Sequence, residues 1–199
     1  MARTAGSTGT KTAAKIRETA LLLIARHGFE AMSMRDLGAA VGVGAPALYR
    51  YHPTKQSLLY TLLNTHLDAL AANWAAADEA GQNAAVRLNA FVANHIAFHV
   101  EHRMSTQVSN LELRALDKEN LTMILRKRND YEKELRAILR DGQETGAFAI
   151  ADITLTAMAI IQMITGVVVW FRPDEKMPVS GVIENYQILV ARLVGQKGA

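Results

Sequence analysis

The stretch Met34–Leu59, MRDLGAAVGVGAPALYRYHPTKQSLL, decides the fold. Leu37, Ala40 and Val41 recur at helical spacing until Gly42 interrupts them, and a second short pattern begins two residues later. Ser33 with Asp36 three residues on has the form of a capping box, which starts a helix there. Pro46 belongs in the first turn of the next helix, where its missing N–H is not needed, and that helix spans Ala45 to Tyr51. Gly42, Val43 and Gly44 allow a tight reversal, and Val43 and Leu48 can fill the angle between the two helices. Two short helices so joined have the build of a helix-turn-helix, whose second helix enters the major groove of DNA. Tyr49, Tyr51, His52 and Lys55 place donors at the end of that helix, where phosphates lie.

The surrounding chain reads as helical throughout, with no strand alternation and no internal repeat. A first helix runs from about Thr12 to His27 and stops at Gly28, and Thr54 caps a fourth carrying Leu58, Leu59, Leu62, Leu63, Leu67 and Leu70. Breaks near Gly81, Gly146 and RPDEKMP separate further helices at about 84–102, 104–111, 118–145, 152–171 and 179–194. The expected fold is all-α with about nine helices: an arm over 1–12, a three-helix helix-turn-helix domain over 13–58, and a ligand-binding and dimerisation domain over 59–199.

Charge supports two modules. Residues 1–60 hold eight Lys or Arg against three acids, whereas the 199-residue chain has 22 against 19, so the excess lies in the first module. That field favours a polyanionic partner for the N-terminal part only. The chain has no cysteine, which removes disulfides and thiolate metal sites, and its polar N-terminus has no secretory apolar core. A cytoplasmic location is expected. Ile153–Phe171 is apolar nearly all round and long enough to span a bilayer, but Thr154, Thr156, Gln162 and Thr165 interrupt it, and a helix buried between subunits is the preferred reading.

From the first helix onward, about fifty residues carrying GFEAMSM (28–34), RDLGAAVGV (35–43) and LYRYHPTK (48–55) in order resemble the DNA-binding segment of tetracycline-repressor-like (TetR) transcription factors. The resemblance implies a homodimeric repressor on palindromic double-stranded DNA, released when a small molecule binds the C-terminal domain. It implies phosphate contacts from Ser33, Arg35, Tyr49 and Lys55, and a groove-facing surface of Gly44, Ala45, Pro46, Ala47, Arg50 and Tyr51. Family members often have Ser-Lys where Gly44 and Ala45 stand, so hydrogen-bonded readout falls to Arg50, Tyr51 and Arg35, with Ala45, Pro46 and Ala47 touching thymine methyls. Arg3 and Lys11 of the arm are positioned to follow the minor groove.

The later elements NLELRAL (110–116) and WFRP (170–173) resemble a branch of the family whose members answer to acyl-CoA thioesters. An acyl chain needs an apolar tunnel, for which Phe91, Phe98, Met123, Met158, Gln162, Met163 and Trp170 are candidates, and the phosphates need cations such as Arg114, Arg126 or Arg172. His95, His99 and His102 share a helix face and define a metal-responsive alternative. A DNA-binding dimer without a small ligand is the other. The dimer is expected through the last two helices as a four-helix bundle. No cofactor is implied. An enzyme is excluded by the lack of a glycine-rich phosphate loop, an HExxH motif or an assignable nucleophile set.

Overall fold

In the computed structural model, residues 5–172 and 177–196 are described, and they form ten α-helices and one 3₁₀ turn. The helices are α1 (Ala5–His27), α2 (Met34–Val41), α3 (Ala45–Tyr51), α4 (Lys55–Ala77), α5 (Ala84–Glu101), α6 (Arg103–Leu111), α7 (Lys118–Glu144), α8 (Ile153–Thr165), α9 (Val167–Trp170) and α10 (Val179–Leu193). The all-α class holds. Two boundaries differ from expectation. The first helix starts at Ala5 rather than near Thr12, so most of the expected arm is helical: each residue added to a helix already anchored by buried Ile16, Ala20 and Ile24 gains a hydrogen bond without a new nucleus. Arg3 lies outside the described residues. The run 152–171 is divided at Gly166 into α8 and α9, a break hidden by apolar residues on both sides.

The chain forms two compact units, Met1–His66 with Met104–Ile124, and Leu67–Arg103 with Leu125–Ala199. The first therefore recruits a distant segment, unlike the contiguous division at residue 58. Polar staples explain the recruitment. Gln56 donates to the Ala115 carbonyl at 2.7 Å and accepts from the Asp117 N–H at 3.0 Å, and the Phe29 N–H donates to Glu112 Oε1 at 3.2 Å. Inside this unit the α2–α3 corner is built on contact. Leu48 is fully buried, and the Val43 N–H returns to the Gly38 carbonyl at 2.9 Å. A Cβ on Gly38 would stand 3.0 Å from the Val43 oxygen, and Gly42 closes α2 at φ +81°.

The second unit packs α5 against α8, α9 and α10 around Phe91, Ile96, Leu135, Ile160 and Val167. A polar thread runs through this core. His95 Nδ1 meets the Tyr131 hydroxyl at 3.1 Å and its Nε2 meets Thr165 Oγ1 at 2.8 Å, while His99 Nδ1 donates to the His95 carbonyl at 2.8 Å. The two imidazoles stack with centroids 3.9 Å apart. The metal-responsive alternative meets this geometry badly: both nitrogens of His95 are engaged within the core, His102 is exposed, and no metal-holding group of three occurs among the described residues. Burial holds His99 at about 4, against the opposing pull of its hydrogen bond to His95, and the charges of Arg128 and His102 lower it further. Burial likewise pushes the Tyr131 phenol up, so it stays neutral.

These features give two predictions. Unfolded His99 takes a proton near its ordinary value of 6.5 but the folded residue does so only near 4, so its contribution is full above pH 6.5 and is lost as pH falls toward 4. Urea unfolding at pH 7.5 and 5 should show a loss of roughly 1–3 kcal/mol, and His99→Gln should flatten that slope. Gly38→Ala should destabilise by about 1–3 kcal/mol through the Val43 contact, whereas Gly44→Ser, at φ −66° with no side-chain cap in place, should add a few tenths of a kcal/mol; thermal unfolding of both variants checks the contrast.

Candidate DNA-binding surface

Helix α2 begins as its sequence dictates. Ser33 is extended at φ −103°, its Oγ accepts from the Asp36 N–H at 3.1 Å and donates to Asp36 Oδ2 at 2.5 Å. The serine is therefore engaged in its own cap, and a phosphate contact would share that hydroxyl. Arg35, on the next turn of the surface, is exposed. At the other end of α2, Lys15 donates to the Val41 carbonyl at 2.7 Å, a cation on a helix C-terminus.

Helix α3 has no N-terminal side-chain cap, with Gly44 at the capping position and Pro46 in the first turn. Leu48 holds it to the core, and the opposite face carries Gly44, Pro46, Tyr49 and Arg50, all exposed, with Ala45, Ala47 and Tyr51 half-buried. Tyr49 is 47% exposed, which for a tyrosine on a seven-residue helix leaves its hydroxyl outside the core. The start of α1 lies beside this helix, since a Cβ on Gly9 would stand 3.9 Å from the Tyr51 hydroxyl. The first turn of α4 is fixed by a reciprocal cap: the Ser57 N–H donates to Thr54 Oγ1 at 2.9 Å and the Thr54 N–H to Ser57 Oγ at 3.1 Å. Sequence reading identified Thr54 and overlooked Ser57, although the T-x-x-S spacing was visible.

Two expected donors are placed differently. His52 is the C-terminal cap of α3 and only 7% exposed; burial and the nearby Arg17 charge push its imidazole below the ordinary value. It is a neutral structural residue, not an open phosphate donor, because the chain must turn inward there to reach α4. Lys55 is half-buried, donates to the Glu30 carbonyl at 3.0 Å and sits 4.3 Å from the centroid of the Phe29 ring. Its charge remains at the surface with local partners already in place.

The expected effector residues do not form one cavity. Phe91 and Phe98 are buried core, Met163 is half-buried against that core, and Met123, Arg114, Arg126, Met158, Gln162, Trp170 and Arg172 are exposed. The reason is that α8 is apolar on all sides, so its pattern gives no sign of which residues face inward. The structure does gather one cluster. Arg172 donates to the Val169 carbonyl at 2.9 Å and the Phe171 carbonyl at 3.0 Å, and the Arg103 guanidinium reaches the same two oxygens. Trp170, 48% exposed, stands between them in sequence. Arg103 was not among the expected residues, and nothing local distinguishes it from any other arginine between two helices.

Residues 16–61 match the model of bacterial regulatory proteins of the tetR family, and 81–194 match the tetracyclin repressor-like C-terminal domain. The HTH-type transcriptional repressor KstR2 of Rhodococcus jostii (strain RHA1) is 23% identical, covering 94% of this chain and 92% of that protein. A tetR-family regulatory protein from Rhodococcus RHA1, solved by crystallography, is 30% identical with a TM-score of 0.89 over 94% of this chain and 98% of that one. AibR, solved with isovaleryl coenzyme A and operator DNA, shares the fold at TM-score 0.83 and 22% identity, over 93% and 99% of the two chains. With a helix-turn-helix whose outer face is open and family models matching both parts of the sequence, the chain belongs to the TetR family of DNA-binding transcription regulators and is not an enzyme.

Proposed function

We propose that the protein is a cytoplasmic, homodimeric repressor that holds a palindromic operator through α3 and releases it when an acyl-CoA-like effector binds. The observation that carries the DNA part is the outward face of α3, with Tyr49 and Arg50 exposed on a helix anchored by fully buried Leu48. In this reading Arg50 contacts a base edge, Tyr49, Arg35 and Ser33 position the backbone, and Lys55 exchanges its carbonyl partner for phosphate. The DNA-binding role falls to residues 13–58, and effector binding and dimerisation to 59–199.

The dimer reading rests on α8 and α10. Leu155 is 66%, Met158 50%, Ile188 49%, Leu189 48% and Leu193 48% exposed, an apolar surface that water disfavours. A second copy covers it as a four-helix bundle, which also accounts for the span Ile153–Trp170 being apolar yet only 28% buried. The effector reading draws on Trp170 with Arg172 and Arg103: two guanidinium groups on shared carbonyls raise the local positive potential beside an exposed indole, a setting for phosphates and an adenine ring. KstR2 and AibR, the latter solved with an acyl-CoA, support that class.

The deciding experiment is a thermal-shift screen against acyl-CoA thioesters and the matching free acids, followed by fluorescence-anisotropy release of operator DNA for each hit. A thioester that stabilises the protein and releases DNA supports the reading, and DNA must weaken its binding by the same factor. No stabilisation by any thioester removes the effector class. Arg50→Ala should cost about 1–3 kcal/mol on the operator and less on random DNA, while Tyr49→Phe should weaken both by similar, smaller amounts. Trp170→Ala should raise the thioester concentration needed for release at least about tenfold without changing operator affinity.

A further inference from the structure

The second unit contains a groove of about 550 Å³ between the C-terminal half of α4 and the middle of α7, a volume ordinary for a small-molecule site. Its room comes from the sequence. Ala71 and Ala75 of α4 line it with no atoms beyond Cβ, while the neighbouring α4 positions Leu67 and Trp74, with Tyr131 of α7, are buried and supply an apolar and aromatic wall. Trp74 packs edge-on to Phe91 at 4.9 Å, which fixes its ring.

The charges lining the groove are unbalanced. Asp68, Asp78, Asp130 and Glu134 face a single ammonium, Lys127. Three of the carboxylates have partners: Asp68 pairs with Lys127, Asp130 with Lys133 at 2.7 Å, and Asp78 holds Arg87 by two bonds of 2.9 and 2.8 Å. Glu134 makes no hydrogen bond or ion pair among the described residues and contributes only to the field at Arg87. A second group is also unmatched. The indole N–H of Trp74, a residue 2% exposed, has no acceptor, and a buried donor left so costs about 1–3 kcal/mol.

We propose that this groove binds a small organic cation, an ammonium on an apolar body that also carries a carbonyl or ether oxygen. Glu134 and the faces of Trp74 and Tyr131 attract the ammonium, and the oxygen accepts from the Trp74 indole. The negative lining disfavours a polyanion, so this ligand is opposite in charge to the thioester effector proposed above, and the site stands independently of that reading. It requires no DNA to be observed.

Calorimetry on the full-length protein with benzoylcholine and with 3,3-dimethylbutyl benzoate, its uncharged isostere, isolates the role of charge. Benzoylcholine should bind about tenfold more tightly or better, and Glu134→Gln should bring the two probes to within about threefold. Ala71→Trp, at an exposed position, should fill the groove and abolish both while leaving operator affinity and the thermal midpoint near those of the parent. Trp74→Phe should weaken both probes, since both carry the ester oxygen. Equal affinity for the two probes, binding that survives Ala71→Trp, or no binding of benzoylcholine at millimolar concentration would overturn the proposal.

Discussion

The angle between α2 and α3 depends on a single close approach, the Val43 carbonyl against the bare Cα of Gly38, with Leu48 filling the space beneath. Everything on the outer face of α3 inherits its direction from that corner. A methyl group at residue 38 would push the turn outward by a few tenths of an ångström, and at the far end of a side chain as long as Arg50 such a tilt is amplified. Packing at interior density transmits such shifts instead of absorbing them. Recognition by this protein is thus set as much by one absent side chain as by the residues that face the groove.

The corner was largely legible in the sequence because each device has its own residue type. Ser33 with Asp36, the two glycines, Pro46 and Thr54 each have a local mechanism, and the helix limits follow from them. What sequence missed depends on partners far away in the chain. Gln56 reaching residues 115 and 117, Glu112 reaching Phe29, and Arg103 reaching Phe171 have no local signature, and these contacts explain why residues 104–124 join the first unit. His52 was misread for a related reason: its place in LYRYHPTK suggests an open donor, but the turn into α4 carries it inward.

The effector residues were the least legible. A helix apolar on one side declares its inner face, whereas α8 is apolar on every side and hides both its exposed residues and the break at Gly166. The groove between α4 and α7 was invisible for the opposite reason. Alanines at 71 and 75 read as ordinary helix formers, and only the geometry turns their small size into a cavity. The polar thread of His95, His99, Tyr131 and Thr165 shows a third limit, since three histidines on one face read as metal ligands until their partners across the core are known.

The face of α3 has a consequence for how such a regulator changes over time. The residues that hold the helix, Leu48 inside and Gly38 behind it, are distinct from those that look outward, Ala45, Pro46, Ala47 and Arg50. Substituting an outward alanine by a polar residue removes no core contact and strains no turn, so a new base preference can be acquired without a compensating change elsewhere. The corner is thus constrained and the surface permissive. A duplicated copy of this chain is free to diverge toward a different operator by single steps, each leaving a folded protein behind it.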